Sequence, residues 1–251
     1  MGATVFSAGG IPTAVWGEGS DHVILAVHGH QSHKLDGPIA VLAECAAPWQ
    51  VLSFDLPEHG DWRGVGRRCT TRTGTEDLRK MLDFARKRWA RVSLFANSMG
   101  VWLSLRAFAR EPLEHAWFLS PLVDMERMAG NLMTWFQISE ERLRREGVVP
   151  TPAGVAVCWE DFRDAREHPV QHWDVPTDIL YGGADTVCEP DTVQTFSRRF
   201  SCRLEIAEGM EHYFHTPEQM AVYRAWLKRT IEPRRHAPRM AGKGEDNGSL
   251  L

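Results

Sequence analysis

Val23-Ile24-Leu25-Ala26-Val27 is a continuous apolar run of strand length that ends abruptly at His28-Gly29. Apolar residues without polar alternation suit a strand buried on both faces of a parallel sheet, where helices cover each side. The chain beyond it repeats the pattern. Helical periodicity about Ile39 to Ala46 leads to a strand-like run at Val51 to Phe54, a helix from Thr75 to Trp89, a strand at Arg91 to Phe95 and a helix from Met99 to Ala109. This alternation predicts right-handed βαβ units, and so an α/β fold with a mostly parallel central sheet flanked by helices. Thr4 to Ser7 and Pro12 to Trp16, two β-prone runs around Gly9-Gly10, are expected to open the chain as an edge hairpin.

After His115 to Leu119, the sixth expected strand, the alternation stops. Residues 121–175 carry Met, Trp and Phe at helix-like spacing, and a small helical cap is expected there. Strand and helix then alternate again through Thr177 to Tyr181, Pro190 to Phe200, Cys202 to Ile206 and Pro217 to Ile231. The sheet domain is thus predicted over 1–120 and 176–232. Residues 233–251 are polar and punctuated by Gly and Pro, too poor in apolar groups to pack, and are expected to form a disordered tail.

Composition narrows the partners. A formal net charge of −4 over 251 residues gives no electrostatic reason to expect nucleic acid or an anionic membrane. The apolar runs are strand-sized rather than membrane-sized, so stable membrane insertion is not expected. Cys45, Cys69, Cys158, Cys188 and Cys202 are odd in number, widely spaced and without a C-x-x-C pair, which disfavours a disulfide framework or zinc knuckle. With no basic segment before an apolar one at the N-terminus, a reduced, cytoplasmic setting is expected. Gly64-Val65-Gly66 does not follow a strand and is no dinucleotide fingerprint; no cofactor is expected. A small-molecule substrate and a monomer or homodimer are the expected partners.

Phe95-Ala96-Asn97-Ser98-Met99-Gly100 lies between an apolar strand and a helical pattern, the setting of a nucleophile elbow. Ala96 and Gly100, two residues to either side of Ser98, are small enough for strand and helix to pass closely. The plainer reading is that Ser98 caps the helix starting at Met99. Its candidate partners favour the chemical reading. Asp185 follows the Thr177 strand on the loop Gly182-Gly183-Ala184-Asp185, and His212 follows the Cys202 strand in Glu208-Gly209-Met210-Glu211-His212. The order Ser, acid, His at the ends of successive strands is the one such an elbow requires. In that arrangement His212 takes the Ser98 proton and Asp185 fixes the imidazole tautomer. Asp124, after the His115 strand, is an alternative acid.

An oxyanion needs two N–H donors, and the backbone amides of Met99 and His30 stand where they are expected. His28-x-His30-x-x-His33 admits a second reading as a metal site, but Ser32 replaces the aspartate such a motif demands. No metal is therefore expected. Met125, Met128, Trp135 and Trp159 of the cap, with His28 and Tyr213, are the candidate lining of an apolar substrate pocket. The run Glu140 to Glu146 reads as a solvated helix face with i,i+4 charge pairs.

Together His28-Gly29, Asp55-Leu56-Pro57-Glu58-His59-Gly60, Ala96-Asn97-Ser98-Met99-Gly100, Gly182-Gly183-Ala184-Asp185 and Gly209-Met210-Glu211-His212 resemble the α/β hydrolases. The likeness is to small capped members akin to monoacylglycerol lipases and the serine aminopeptidase group. Within the Asp55 loop, Glu58 stands where that family usually has glycine. The resemblance implies a serine esterase or thioesterase acting without a cofactor. Acyl transfer, C–C bond hydrolysis or perhydrolysis on the same three residues, or a non-catalytic ligand-binding role, are the alternatives.

Overall fold

In the computed structural model, which describes residues 2–235, the apolar runs become strands and the periodic segments helices. The chain runs β1 (Ala3–Ala8), β2 (Ile11–Trp16), β3 (His22–Val27), α1 (Gly37–Ala46), β4 (Gln50–Phe54), α2 (Thr71–Arg86), β5 (Arg91–Asn97), α3 (Met99–Phe108) and β6 (Ala116–Leu119). An insertion follows, made of α4 (Met125–Trp135), α5 (Glu140–Glu146), β7 (Val148–Pro150), β8 (Ala156–Cys158) and α6 (Trp159–Glu167). The chain then re-enters the sheet with β9 (Thr177–Gly182), α7 (Pro190–Arg199), β10 (Arg203–Ala207) and α8 (Pro217–Arg235).

One eight-stranded sheet has the order β1-β2-β4-β3-β5-β6-β9-β10. The opening hairpin and its junction with β4 are antiparallel, and every later pairing is parallel. All six residues of β3 are buried, and they alternate between two apolar layers. Val23, Leu25 and Val27 pack with α2, α3 and α7; Ile24 and Ala26 pack with α1 and α8. This is why the run needed no polar positions. Tryptophan, abundant in the sequence, fills both layers, and three of the deeply placed indoles donate their N–H to threonine hydroxyls. Trp102 donates to Thr71 Oγ1 at 3.0 Å, Trp117 to Thr230 Oγ1 at 3.0 Å and Trp173 to Thr177 Oγ1 at 2.8 Å.

Three boundaries differ from expectation. Helix α2 starts at Thr71 rather than Thr75, because Thr70 and Thr73 form a reciprocal capping box that polar residues carry without any apolar signal. The insertion is not wholly helical. Between Gly147 and Cys158 the backbone reverses through Gly154, at φ +75°, into the antiparallel β7–β8 hairpin, whose Val149 and Val157 join Ala129, Ile138, Leu143 and Phe162 in a core of their own. Helix α8 continues through Pro233 to Arg235, where Arg234 reaches buried Asp178 at 3.1 Å. Residues 236–251 of the expected tail lie outside the described residues. Among the described residues no helix is long and apolar enough to cross a membrane.

Helix α3 crosses the end of β3 at backbone contact. A Cβ built on Gly100 would sit 2.6 Å from the His28 carbonyl oxygen and 2.7 Å from that of Val27. Gly100→Ala is therefore expected to lower stability by about 1–3 kcal/mol, the ordinary cost of forcing a methyl into a filled contact. Urea unfolding of the variant against the parent chain checks it, and an unchanged midpoint would show that the crossing yields.

Candidate active site

Ser98 sits between β5 and α3 with φ 49° and ψ −117°, a backbone conformation that L-residues rarely adopt. The surrounding chain holds it there: its N–H donates to Leu119 O at 3.0 Å, and its carbonyl accepts from Val101 N at 2.9 Å. Its side chain makes no capping bond to α3, so the plain helix-cap reading of this serine fails. Ser98 Oγ instead lies 2.8 Å from His212 Nε2.

His212 Nδ1 is 2.7 Å from Asp185 Oδ2. The carboxylate can only accept here, so the proton belongs on Nδ1, and Nε2 is left as the acceptor facing Ser98. Asp185 is aimed by its own loop, since Oδ1 accepts from Val187 N at 2.7 Å and Cys188 N at 2.9 Å. The two loops that supply acid and imidazole are joined to each other. Ala184 N donates to Met210 O at 2.8 Å, and Gly183 N to Ala207 O at 2.8 Å. The Asp185 side chain is wholly shielded from solvent, whereas the His212 ring retains 19% exposure. Asp124 is elsewhere employed: it caps α4 through Oδ1, which accepts from Arg127 N at 2.9 Å.

Gly29 passes close under the serine, its would-be Cβ 3.3 Å from both Asn97 O and Ser98 Cβ, so the His30 loop runs beside the start of α3. Neither the His30 nor the Met99 amide has a backbone acceptor among the described residues. That loop is pinned from beneath by His28. The His28 Nδ1–H donates to Gly29 O at 2.7 Å, and Nε2 accepts from Leu56 N at 3.0 Å. Burial pushes its pKa down to about 4, so the ring works as a neutral brace. His28 is therefore not a pocket-lining residue, since both nitrogens are committed to backbone.

Lys34 and Asp55 complete the clamp. Lys34 Nζ lies 2.7 Å from Asp55 Oδ2 and 2.7 Å from Asp61 Oδ2, while the amides of Lys34 and Asp61 donate to the same Asp55 carboxylate at 2.8 and 2.9 Å. Burial works against the ammonium, but the two carboxylates outweigh it and hold the Lys34 pKa above its usual value. The loop's departure at Glu58 is accommodated, and Asp61 gains a role. Glu58 adopts φ 68°, the conformation a glycine would take, and accepts from Cys69 N at 2.8 Å; Asp61 becomes the second partner of Lys34. Sequence reasoning missed Lys34, because a lysine in a polar loop carries no mark of burial until its partner is known.

The remaining expected lining residues scatter. Met125 and Met128 pack against the sheet core, and Trp159 packs in the insertion's own core beside Phe162. Trp135 is 57% exposed; Tyr213, 51% exposed, stacks on His215 at 4.9 Å. His28, His30 and His33 do not converge into a metal cluster among the described residues. His33 Nδ1 instead accepts from Leu35 N at 3.2 Å.

No family model matches the chain, and no curated protein matches it by sequence. Solved structures do. Est1E from Butyrivibrio proteoclasticus, with ferulic acid bound, superposes with a TM-score of 0.76 at 17% identity, over 93% of this chain and 99% of that one. Mouse alpha/beta hydrolase domain-containing protein 10 gives 0.72 at 13% identity over 93% and 100%. XC6422 from Xanthomonas campestris, an α/β serine hydrolase without lid, gives 0.65 at 16% identity over 95% and 96%.

Stability responds to pH through His28 and through His22, which starts β3, meets Ser93 Oγ at 2.8 Å and has its pKa likewise lowered by burial to about 4. Both folded-state values lie below the ordinary 6.5, so protonation favours the unfolded chain. Their contribution is whole above pH 6.5 and is lost as pH falls toward 4, at about 1.4 kcal/mol per pH unit for each. Urea midpoints between pH 7 and 4 should fall accordingly. His22→Gln, which retains a donor for Ser93, should lessen the slope between pH 6.5 and 4 by the share of one histidine, about 1.4 kcal/mol per pH unit; an equal slope in both chains would remove His22 as a contributor.

Proposed function

The chain is built on the α/β-hydrolase fold, and from that premise we propose that it is a serine hydrolase that cleaves small to medium apolar carboxylic esters or thioesters. The observation that carries this reading is the continuous path Ser98 Oγ, His212, Asp185, with contacts of 2.8 and 2.7 Å, on a serine strained out of its helix-capping role.

The chemistry follows from the tautomer. A serine hydroxyl is a weak nucleophile near neutral pH, and His212 Nε2 accepts its proton as Oγ attacks the acyl carbon. The resulting imidazolium keeps its Nδ1–H on Asp185, whose buried carboxylate favours that charge. Charge developing on the acyl oxygen is met by the amides of His30 and Met99, fixed in place before the reaction. His212 then returns the proton to the departing alcohol or thiol, leaving acyl-Ser98. Water, activated by the same nitrogen, releases the acid. No step needs a metal or organic cofactor. That Est1E was solved with a carboxylic acid, ferulic acid, bound is consistent with an ester-derived product.

A fluorophosphonate probe should label the parent chain and not Ser98→Ala; equal labelling of both sinks the reading. Asp185→Asn should lower kcat by about 10⁴ through the wrong imidazole tautomer, as established for a serine protease triad. Asp124→Asn, which still caps α4, should leave kcat unchanged. Among p-nitrophenyl acetate, butyrate and octanoate and an aminoacyl anilide, an ester should be the best substrate. Preference for the anilide would refute the ester assignment while leaving the serine chemistry intact.

A further inference from the structure

One buried nucleophilic group beside the site has no part in the hydrolytic scheme. Cys188 is three residues past Asp185 and 3% exposed. Its backbone is held on both sides, the N–H by Asp185 Oδ1 at 2.9 Å and the carbonyl by the Tyr181 hydroxyl at 2.7 Å. Its thiol is free, and among the described residues it makes no hydrogen bond. One ligand atom each from Asp185, Cys188 and His212 lie within 4.8 Å of one another, and this is the group of ligating side chains that the described residues bring together.

We propose that Asp185, Cys188 and His212 form an inhibitory site for a thiophilic divalent cation, of which zinc is the best match. A carboxylate oxygen, a thiolate and an imidazole nitrogen are a three-residue donor set zinc accepts, at about 2.0–2.3 Å per bond, with a fourth position open to water. Binding draws inward three atoms that already lie within 4.8 Å of one another. The thiolate disfavours calcium and magnesium, which take oxygen ligands. Charge also balances, since a dication meets one carboxylate, one thiolate and one neutral ring in a site of low polarity. Without metal, burial and the adjacent Asp185 carboxylate keep the thiol protonated.

Binding silences the serine by changing the tautomer. The metal takes His212 Nδ1, the proton that sat there moves to Nε2, and the Cys188 proton is released to solvent. One proton leaves for each cation bound. His212 then presents N–H rather than a lone pair to Ser98, and the general base is lost while the ring stays in place. The inhibitory consequence rests on the hydrolase reading; the metal site itself does not.

Cobalt separates the two, because a thiolate on cobalt gives a charge-transfer band in the near ultraviolet that histidine or carboxylate ligation lacks. Cobalt chloride added to the purified full chain should produce that band in the parent and in Ser98→Ala, and not in Cys188→Ala or the less perturbing Cys188→Ser. Zinc should inhibit the parent reversibly, with chelator restoring activity. Its inhibition should tighten about tenfold per pH unit, for the single proton released, and weaken more than about tenfold in Cys188→Ala relative to that variant's own metal-free rate. No band, or equal zinc inhibition with and without the thiol, overturns the site. Probe labelling of metal-free protein without a band would leave the hydrolase and remove the metal site. A band without labelling would keep the site and remove its inhibitory role.

Discussion

The approach of helix α3 to the end of strand β3 is the constraint from which the site is built. Gly100 rests on the carbonyls of Val27 and His28, and Gly29 rests on Asn97 and Ser98. Two chain segments pass each other at positions without side chains, so their backbones meet directly. That contact runs the His30 loop beside the start of α3. It also forces the abrupt turn that puts Ser98 at positive φ. Strain at the serine and the close passage of the two segments are thus one geometric event, held by the sheet on either side.

Such a contact fixes one end of the His30 loop and leaves the rest to be secured by polar groups. His28 does this as a neutral ring spanning two backbones, and Lys34 does it as a buried cation shared by Asp55 and Asp61. Buried ion pairs contribute little net stability, because desolvation offsets attraction, but removing one partner strands the other. Their effect here is on uniqueness of conformation. Asp55 accepts from two amides and an ammonium at once, and a small shift of either loop breaks several bonds together.

Much of this was legible in the sequence. Buried parallel strands declare themselves by apolar runs, and the serine, histidine and aspartate declare themselves by standing at strand ends. What was not legible shares one physical cause: it depends on partners remote in sequence. His28 reads in sequence as a metal ligand or a pocket wall, and its contacts with Leu56 and Gly29 make it a brace instead. The β7–β8 hairpin was hidden because three-residue strands carry too little periodicity to separate from helix. The start of α2 was hidden because its cap is polar. Trp159 was misplaced for another reason: it packs beside Phe162 in the insertion's own core, while Met125 and Met128 pack against the sheet core.

That separate core governs how the insertion meets the sheet domain. Its roots are apolar, with Ala165, Trp173 and Val175 packed into the main core. Its seam is polar: Arg72 meets Glu160 at 3.1 Å, Arg106 meets Asp164 at 3.1 Å, Thr71 N donates to Asp161 at 2.6 Å, and Arg127 meets Glu189 at 2.9 Å. A cavity of about 290 Å³ lies along this seam between α2, α3 and α6. The hairpin end reaches the His30 loop through Gln31 Nε2 and Gly154 O at 3.3 Å, an exposed contact. Exposed polar contacts contribute far less than buried apolar area. The insertion is therefore anchored where it joins the sheet and weakly held where it reaches the loop beside Ser98. Its own core is separate from that of the sheet, so this edge meets the sheet domain through polar contacts rather than through shared apolar packing.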